Sequence, residues 1–155
     1  MKKIVLILLL TCSSLLAEEA SAKVVYNLST QKLDTFERKI LKAIVANKAY
    51  YTSKLKEYDV TVVIHGGAYR FFVKDPKHSE YKRDHKLIKT YKELAKRIKS
   101  MVETYDVEFL ICEVGMKKHH LSKKDIYDFV EIIPNATIGL IDRQNEGYAY
   151  VPVED

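Results

Sequence analysis

Cys112 closes the apolar run Val107-Glu108-Phe109-Leu110-Ile111-Cys112, three residues before Gly115. The chain's other cysteine, Cys12, lies in an N-terminal stretch that reads as an export signal, so the mature chain is expected to carry a single thiol. A solitary cysteine in an oxidising compartment can form no disulfide within its own chain, so it either fills core volume or reacts. Its place at the C-terminal end of a strand favours reaction, because ligand sites of open α/β sheets lie there. Thiolate is the reacting form, and cations or helix N-termini near the sulfur stabilise it. Arg70, Lys117, Lys118, His119 and His120 fall on segments expected to share that rim. With two of them close, the thiolate would attack a sulfur–sulfur bond of an incoming anionic species and displace another thiolate. No second thiol is at hand to resolve a mixed disulfide, which argues against a two-thiol redox cycle. Glu113 would oppose the thiolate if it came near, but neighbouring strand side chains point to opposite faces.

The remaining polar residues support less chemistry. His65 ends a second apolar run and reads either as a proton donor or acceptor at the rim or as a strand-end histidine bonded to backbone. Gly66 and Gly67 could cradle an anion with their N–H groups or only permit a sharp turn, and the chain has no GxGxxG or P-loop pattern to support a nucleotide. The candidate ligand-binding set beside Cys112 is therefore His65, Gly66, Gly67, Arg70 and Lys117. His119 and His120 are adjacent and lack metal-ligand spacing, so no metal is expected, and no motif calls for a cofactor. Ser53, Ser79 and Ser122 have no nucleophile-elbow context, and the chain reads as a carrier rather than an enzyme with a full catalytic constellation. Asn135-Ala136-Thr137 matches a glycosylation acceptor, an idle match in a bacterial-looking exported chain.

Composition narrows the class. Of 155 residues, 47% are hydrophobic and 30% charged, with only 5 Gly and 3 Pro, which suits one globular domain and not a disordered chain. The net charge of +5 is spread along the chain without a concentrated basic face, so nucleic acid is not an expected partner. Met1-Lys2-Lys3, the apolar stretch Ile4 to Leu10, and Ala20-Ser21-Ala22 together read as a cleavable signal peptide over residues 1–22. That leaves residues 23–155 as a single domain in the periplasm. The apolar stretch is much shorter than the roughly 20 residues a membrane span needs, so no stable membrane span is expected. A lipoprotein signal ending at Cys12 is disfavoured by Thr11, larger than the small residue such signals prefer before the cysteine.

These residues must be positioned by alternating elements. Lys23 to Leu28, Asp59 to Ile64, Val107 to Cys112, Glu131 to Ile133 and Tyr148 to Val151 read as strands. Leu33, Phe36, Ile40 and Ile44 mark one helical stripe, which Ser29 or Thr30 could cap, and Leu87, Tyr91, Leu94, Ile98 and Met101 mark a longer one. Ala68 to Val73 suggests a short helix, Ser122 with Asp125 a capping box, and Ile138 with Ile141 a last helix. Lys74 to Lys86 reads as a solvated face or a dock for an acidic partner. The order predicts a three-layer αβα sandwich around a mostly parallel sheet of about five strands. Its carboxyl edge would gather the loops Asn27–Thr30, His65–Arg70 and Cys112–His120.

His65-Gly66-Gly67 after the second strand, Cys112 closing the third, and Gln144-Asn145-Glu146-Gly147-Tyr148-Ala149-Tyr150 near the end together resemble the DsrE/DsrF-like family of sulfur-handling proteins. The likeness runs from about Lys23 to Pro152. It implies a compact fold with a parallel-sheet core, assembly as a homo-oligomer (trimer or hexamer), and a cysteine at the position of Cys112 that in some members carries sulfur as a persulfide. Val114 stands where many exported relatives place Asn, and the segment Lys77 to Lys86 is longer than usual.

The leading expectation is an exported sulfur carrier that takes sulfur from a small anionic sulfur species or a sulfur-donor protein. The alternatives are a binding module for a small anion or nucleotide-like ligand, and an oligomeric structural or partner-docking subunit, each with a passive cysteine.

Overall fold

The computed structural model describes residues 21–155; the segment carrying Cys12 and nearly all of the expected signal lies outside them. Five strands, β1 (Ala22–Leu28), β2 (Tyr58–Ile64), β3 (Val107–Cys112), β4 (Glu131–Ile133) and β5 (Ala149–Val153), form one sheet in the order β4-β3-β2-β1-β5. Every strand pair is parallel, with Val25 opposite Thr61 and Tyr150, and Val63 opposite Leu110. The chain steps outward from β1 to β4, then crosses back to lay β5 on the far side of β1. Pro152 is tolerated because β5 is an edge strand.

Helices fall on both faces, as right-handed crossovers require. On one face, α1 (Leu33–Phe36) runs through a π turn (Glu37–Lys42) into α2 (Ala43–Ser53), burying Phe36, Ile40 and Ile44. Neither Ser29 nor Thr30 caps it: Lys32 holds that position, and the buried Thr30 instead accepts from the Lys32 N–H at 3.1 Å and donates to Asp155. Beside it lies α3 (His85–Tyr105), capped by Asp84, whose carboxylate accepts from the Leu87 N–H at 3.0 Å. Phe36 stacks on Phe71 at 4.6 Å and meets Phe72 edge-on at 5.8 Å, sealing this layer.

The opposite face is covered by α5 (Ala136–Asn145), over a small cluster of Val25, Val63 and Leu110. The helix is turned so that Ile138 and Ile141, expected as its marker apolar positions, are 42% and 49% exposed. Gly139 faces the sheet instead, where an added Cβ would come within 2.5 Å of Ile133 Cδ1. The close approach of the helix, not its largest side chains, sets its rotation.

Three further segments differ from their sequence reading. Residues 68–73 make only a 3-10 turn, Ala68–Phe71. The polar stretch 74–86 is pinned to the core through buried Pro76 and Tyr81. The segment after Cys112 is not a loop: Glu113–Lys118 forms α4, with Cys112 at its N-cap. The Ser122 capping box holds, its N–H and hydroxyl donating to the Asp125 carboxylate at 2.9 and 2.6 Å.

Candidate functional site

At the carboxyl edge of the sheet an open depression of about 490 Å³ is formed where β2, β3 and the start of α5 meet. Cys112 lines it from the end of β3, with 6% of the residue exposed, and is the only free cysteine among the described residues. His65 and Gly66 line it from the end of β2, Val114, Gly115 and Lys118 from α4, and Asn135, Ala136 and Thr137 from the first turn of α5. The floor is made by packing. Tyr69 donates its hydroxyl to the Cys112 carbonyl at 2.9 Å, and burial raises its pKa, so it remains a neutral donor. Gly115 permits this contact, since a Cβ there would lie 1.9 Å from the Tyr69 oxygen.

Electrostatics in the depression favour an anion. Lys118 brings a cation, and the α5 N-terminus brings the positive end of a ten-residue helix capped by Asn135, which accepts from the Ile138 N–H at 3.0 Å. Burial lowers the His65 pKa, which favours a neutral ring at neutral pH. His65 Nε2 meets Asn27 Oδ1 at 2.5 Å, and Asn27 in turn donates to the Tyr150 hydroxyl at 2.7 Å. The histidine is thus tied through β1 to the edge strand β5. His119 closes one side, bonded to Glu80, with its ring 5.0 Å from that of Tyr69.

The residues singled out from sequence separate into two groups. Cys112, His65 and Gly66 come together in the depression. Arg70, Lys117 and Gly67 do not line it. The Arg70 guanidinium donates to the Gly67 carbonyl and to Asp84, both at 3.1 Å, and lies over the Tyr81 ring. Lys117 points along the outside of α4 to Glu113, 3.1 Å away; helical rise, not strand alternation, sets where Glu113 goes. Gly67 serves close packing, because a Cβ would sit 2.6 Å from Gln31 Cβ, and its N–H is used by the Ser29 carbonyl at 2.9 Å. That amide is unavailable to cradle an anion. Gly66, at φ +59°, supplies the left-handed turn.

Sequence reasoning missed Tyr69 and the start of α5 as parts of the site. The second had a signal: Pro134 followed by Asn135 marks a helix N-cap, although the triplet also reads as a glycosylation acceptor. Among the described residues no group of three His, Cys, Asp or Glu side chains is placed to hold a metal.

Comparisons with known proteins agree with this architecture. The model of the DsrE/DsrF-like family matches residues 22–153. A protein of unknown function from Methanobacterium thermoautotrophicum, MTH1491, has a solved structure that superposes with a TM-score of 0.60 at 18% identity, covering 85% of this chain and 99% of that one. An uncharacterized protein of Aquifex aeolicus is 38% identical over 56 residues, 36% of this chain. The match spans only 24% of that relative's length.

Proposed function

The chain belongs to the DsrE/DsrF-like family, and on that premise we propose that it is an exported sulfur carrier using Cys112. The thiolate attacks the outer sulfur of a polysulfide or protein persulfide, R–S–S⁻. The sulfur–sulfur bond breaks, R–S⁻ leaves, and Cys112 becomes a persulfide; an acceptor thiolate later takes that sulfur in the same way. No electrons are gained or lost overall, so no cofactor is required, and the protein acts as a relay without turnover of its own. The observation that carries the reading is the free Cys112 in an open depression that also holds Lys118 and the start of α5. Lys118 and the helix end would attract the incoming anion.

The test is intact mass after polysulfide treatment. Wild type is expected to gain one sulfur that reductant removes, and Cys112→Ser to gain none. A thiol that resists both polysulfide and small alkylating reagents in the folded protein ends the carrier reading.

Periplasmic location and self-association belong to the same proposal. Ile138, Ile141 and Tyr150 are exposed apolar or aromatic side chains on α5 and β5, and a second copy of the chain is the proposed cover. Ile138→Glu with Ile141→Glu should then yield monomers in sedimentation where wild type gives trimers or hexamers. Fractionation of cells expressing the full chain tests export.

A further inference from the structure

His65 and Cys112 are neighbours across two strands. Ile64 of β2 lies opposite Ile111 of β3, so the residues that follow, His65 and Cys112, stand side by side on strands about 4.8 Å apart. Both line the depression. The backbone of His65 is braced from the other side, its N–H donating to the Leu28 carbonyl of β1 at 3.0 Å. Its ring is braced as well: Nε2 meets the Asn27 amide oxygen at 2.5 Å, and Asn27 donates to the Tyr150 hydroxyl at 2.7 Å. An amide oxygen can only accept, so Nε2 carries the imidazole hydrogen and, in the neutral ring, Nδ1 carries the lone pair. Nδ1 has no hydrogen-bond partner among the described residues.

Resting on the carrier reading above, we infer that His65 takes the proton of the Cys112 thiol and passes it to the displaced sulfur, with Asn27 positioning the ring. The S–H proton moves to Nδ1 as Sγ attacks the outer sulfur of R–S–S⁻. The sulfur–sulfur bond breaks, R–S⁻ takes that proton from His65 and leaves as R–SH, and Cys112 is left as a persulfide anion. One negative charge enters and one remains, with no net oxidation or reduction. A cysteine beside a histidine whose far nitrogen is fixed by an amide is an arrangement that activates thiol nucleophiles on unrelated folds. The neutral ring that burial favours is the form able to accept a proton. The other titratable groups facing the pair are Tyr69 from the 3-10 turn, Lys118 from α4, His119 just after it, and Tyr150 from β5. Tyr69 is occupied by the Cys112 carbonyl, and His119 is bonded to Glu80. From β4, Ile133 adjoins Cys112 and carries no charge, and the lining residues of α5 do not titrate.

Alkylation of Cys112 by iodoacetamide in the full chain, read by mass on the peptide that holds Cys112, tests this without sulfur chemistry. Rates are followed from about pH 5 to about pH 8. A thiol with no base beside it loses about tenfold in thiolate for each pH unit below its own titration. Wild type is expected to keep a nearly level rate down to pH 6.5 and to fall only below it, where His65 takes up a proton of its own. His65→Gln should fall about tenfold per unit throughout and be at least about tenfold slower than wild type at pH 6.5. Asn27→Asp keeps the acceptor and adds a negative charge that favours the imidazolium, so the fall should begin about one pH unit higher. A merely structural role for Asn27 leaves that onset where it was. If His65→Gln does not fold, Asn27→Asp decides. A wild-type rate that falls tenfold per unit overturns the proposal, as does an unmoved onset in Asn27→Asp. So does a level profile that survives in His65→Gln; its loss in His119→Gln would then give the role to the other histidine. Intact mass after polysulfide treatment judges the carrier reading separately: a level alkylation profile without sulfur uptake removes that reading and leaves the proton transfer from Cys112 to His65 standing.

Discussion

One face of the sheet is buried under α1 to α4 and a 3-10 turn, with Phe36, Phe71, Phe72 and Phe109 in ring-to-ring contact. The other is covered by α5 over three buried aliphatic residues, and its strand positions include Thr61 and Glu108. There the gaps are bridged by polar ties: Thr61 donates to Glu108 at 2.7 Å, and Arg143 donates to both Glu108 oxygens at 2.7 and 2.6 Å. The first face holds the fold together mainly by apolar burial, the second by a few directional contacts at the cost of leaving Ile138 and Ile141 outside. The thiol depression lies on the seam, taking Tyr69 and α4 from the thick side and the start of α5 from the thin one.

The contrast can be broken most directly in the core. Phe36→Ala is expected to cost about 3–5 kcal/mol in urea unfolding, because a fully buried stacked ring leaves a cavity. Val63→Ala, beneath α5, should cost roughly 2 kcal/mol. Equal losses would mean that both faces carry the same weight. At the seam, Gly115→Ala drives a methyl into the Tyr69 hydroxyl and should cost about 1–3 kcal/mol. Tyr69→Phe, which removes one hydrogen bond to the Cys112 carbonyl, should cost about 1 kcal/mol in the same urea unfolding. The order matters here: a milder Gly115→Ala would show that α4 can shift away from Tyr69.

On the thin face, Arg143→Met should cost about 1 kcal/mol, a small value because Arg143 and Glu108 keep 22% and 37% side-chain exposure. A cost matching Phe36→Ala would make the polar ties the main support of α5. The smallest expected effect is in pH dependence. Burial holds His65 below its ordinary value of 6.5, so the unfolded chain binds more protons between the two values. Stability from this group is complete above pH 6.5, declines as pH falls toward the lowered folded value, and then levels off. Melts on either side of that pH should differ by about 2 °C or less, and His65→Gln should flatten the difference. The depressed carboxyls of Asp75, Asp125 and Asp155 enter only nearer 3.8, where falling pH removes their contribution.

Much of the fold was legible along the chain. Val107 to Cys112 and Glu131 to Ile133 were readable as strands from composition and length, and α3 from the spacing of Leu87, Leu94, Ile98 and Met101. Of the site, the thiol at a strand end and the His-Gly-Gly turn were readable in the same way. What escaped has a common cause. α4 is six residues long, too short for a period to register. Whether Lys117 or Lys118 faces the thiol depends on the helical phase of that one turn. Arg70 is diverted by Asp84, 14 residues on, and Tyr81 by the core beneath it.

Residue type and local spacing were therefore enough to establish an αβα architecture and to put a sulfur atom at the edge of its sheet, because those properties depend on neighbours a few residues away. Which cations stand beside that sulfur, why Gly115 and Gly139 are needed, and which isoleucines stay outside were settled by packing between distant segments. Such contacts depend on how closely two elements approach, and approach distance is not written in any single stretch of chain.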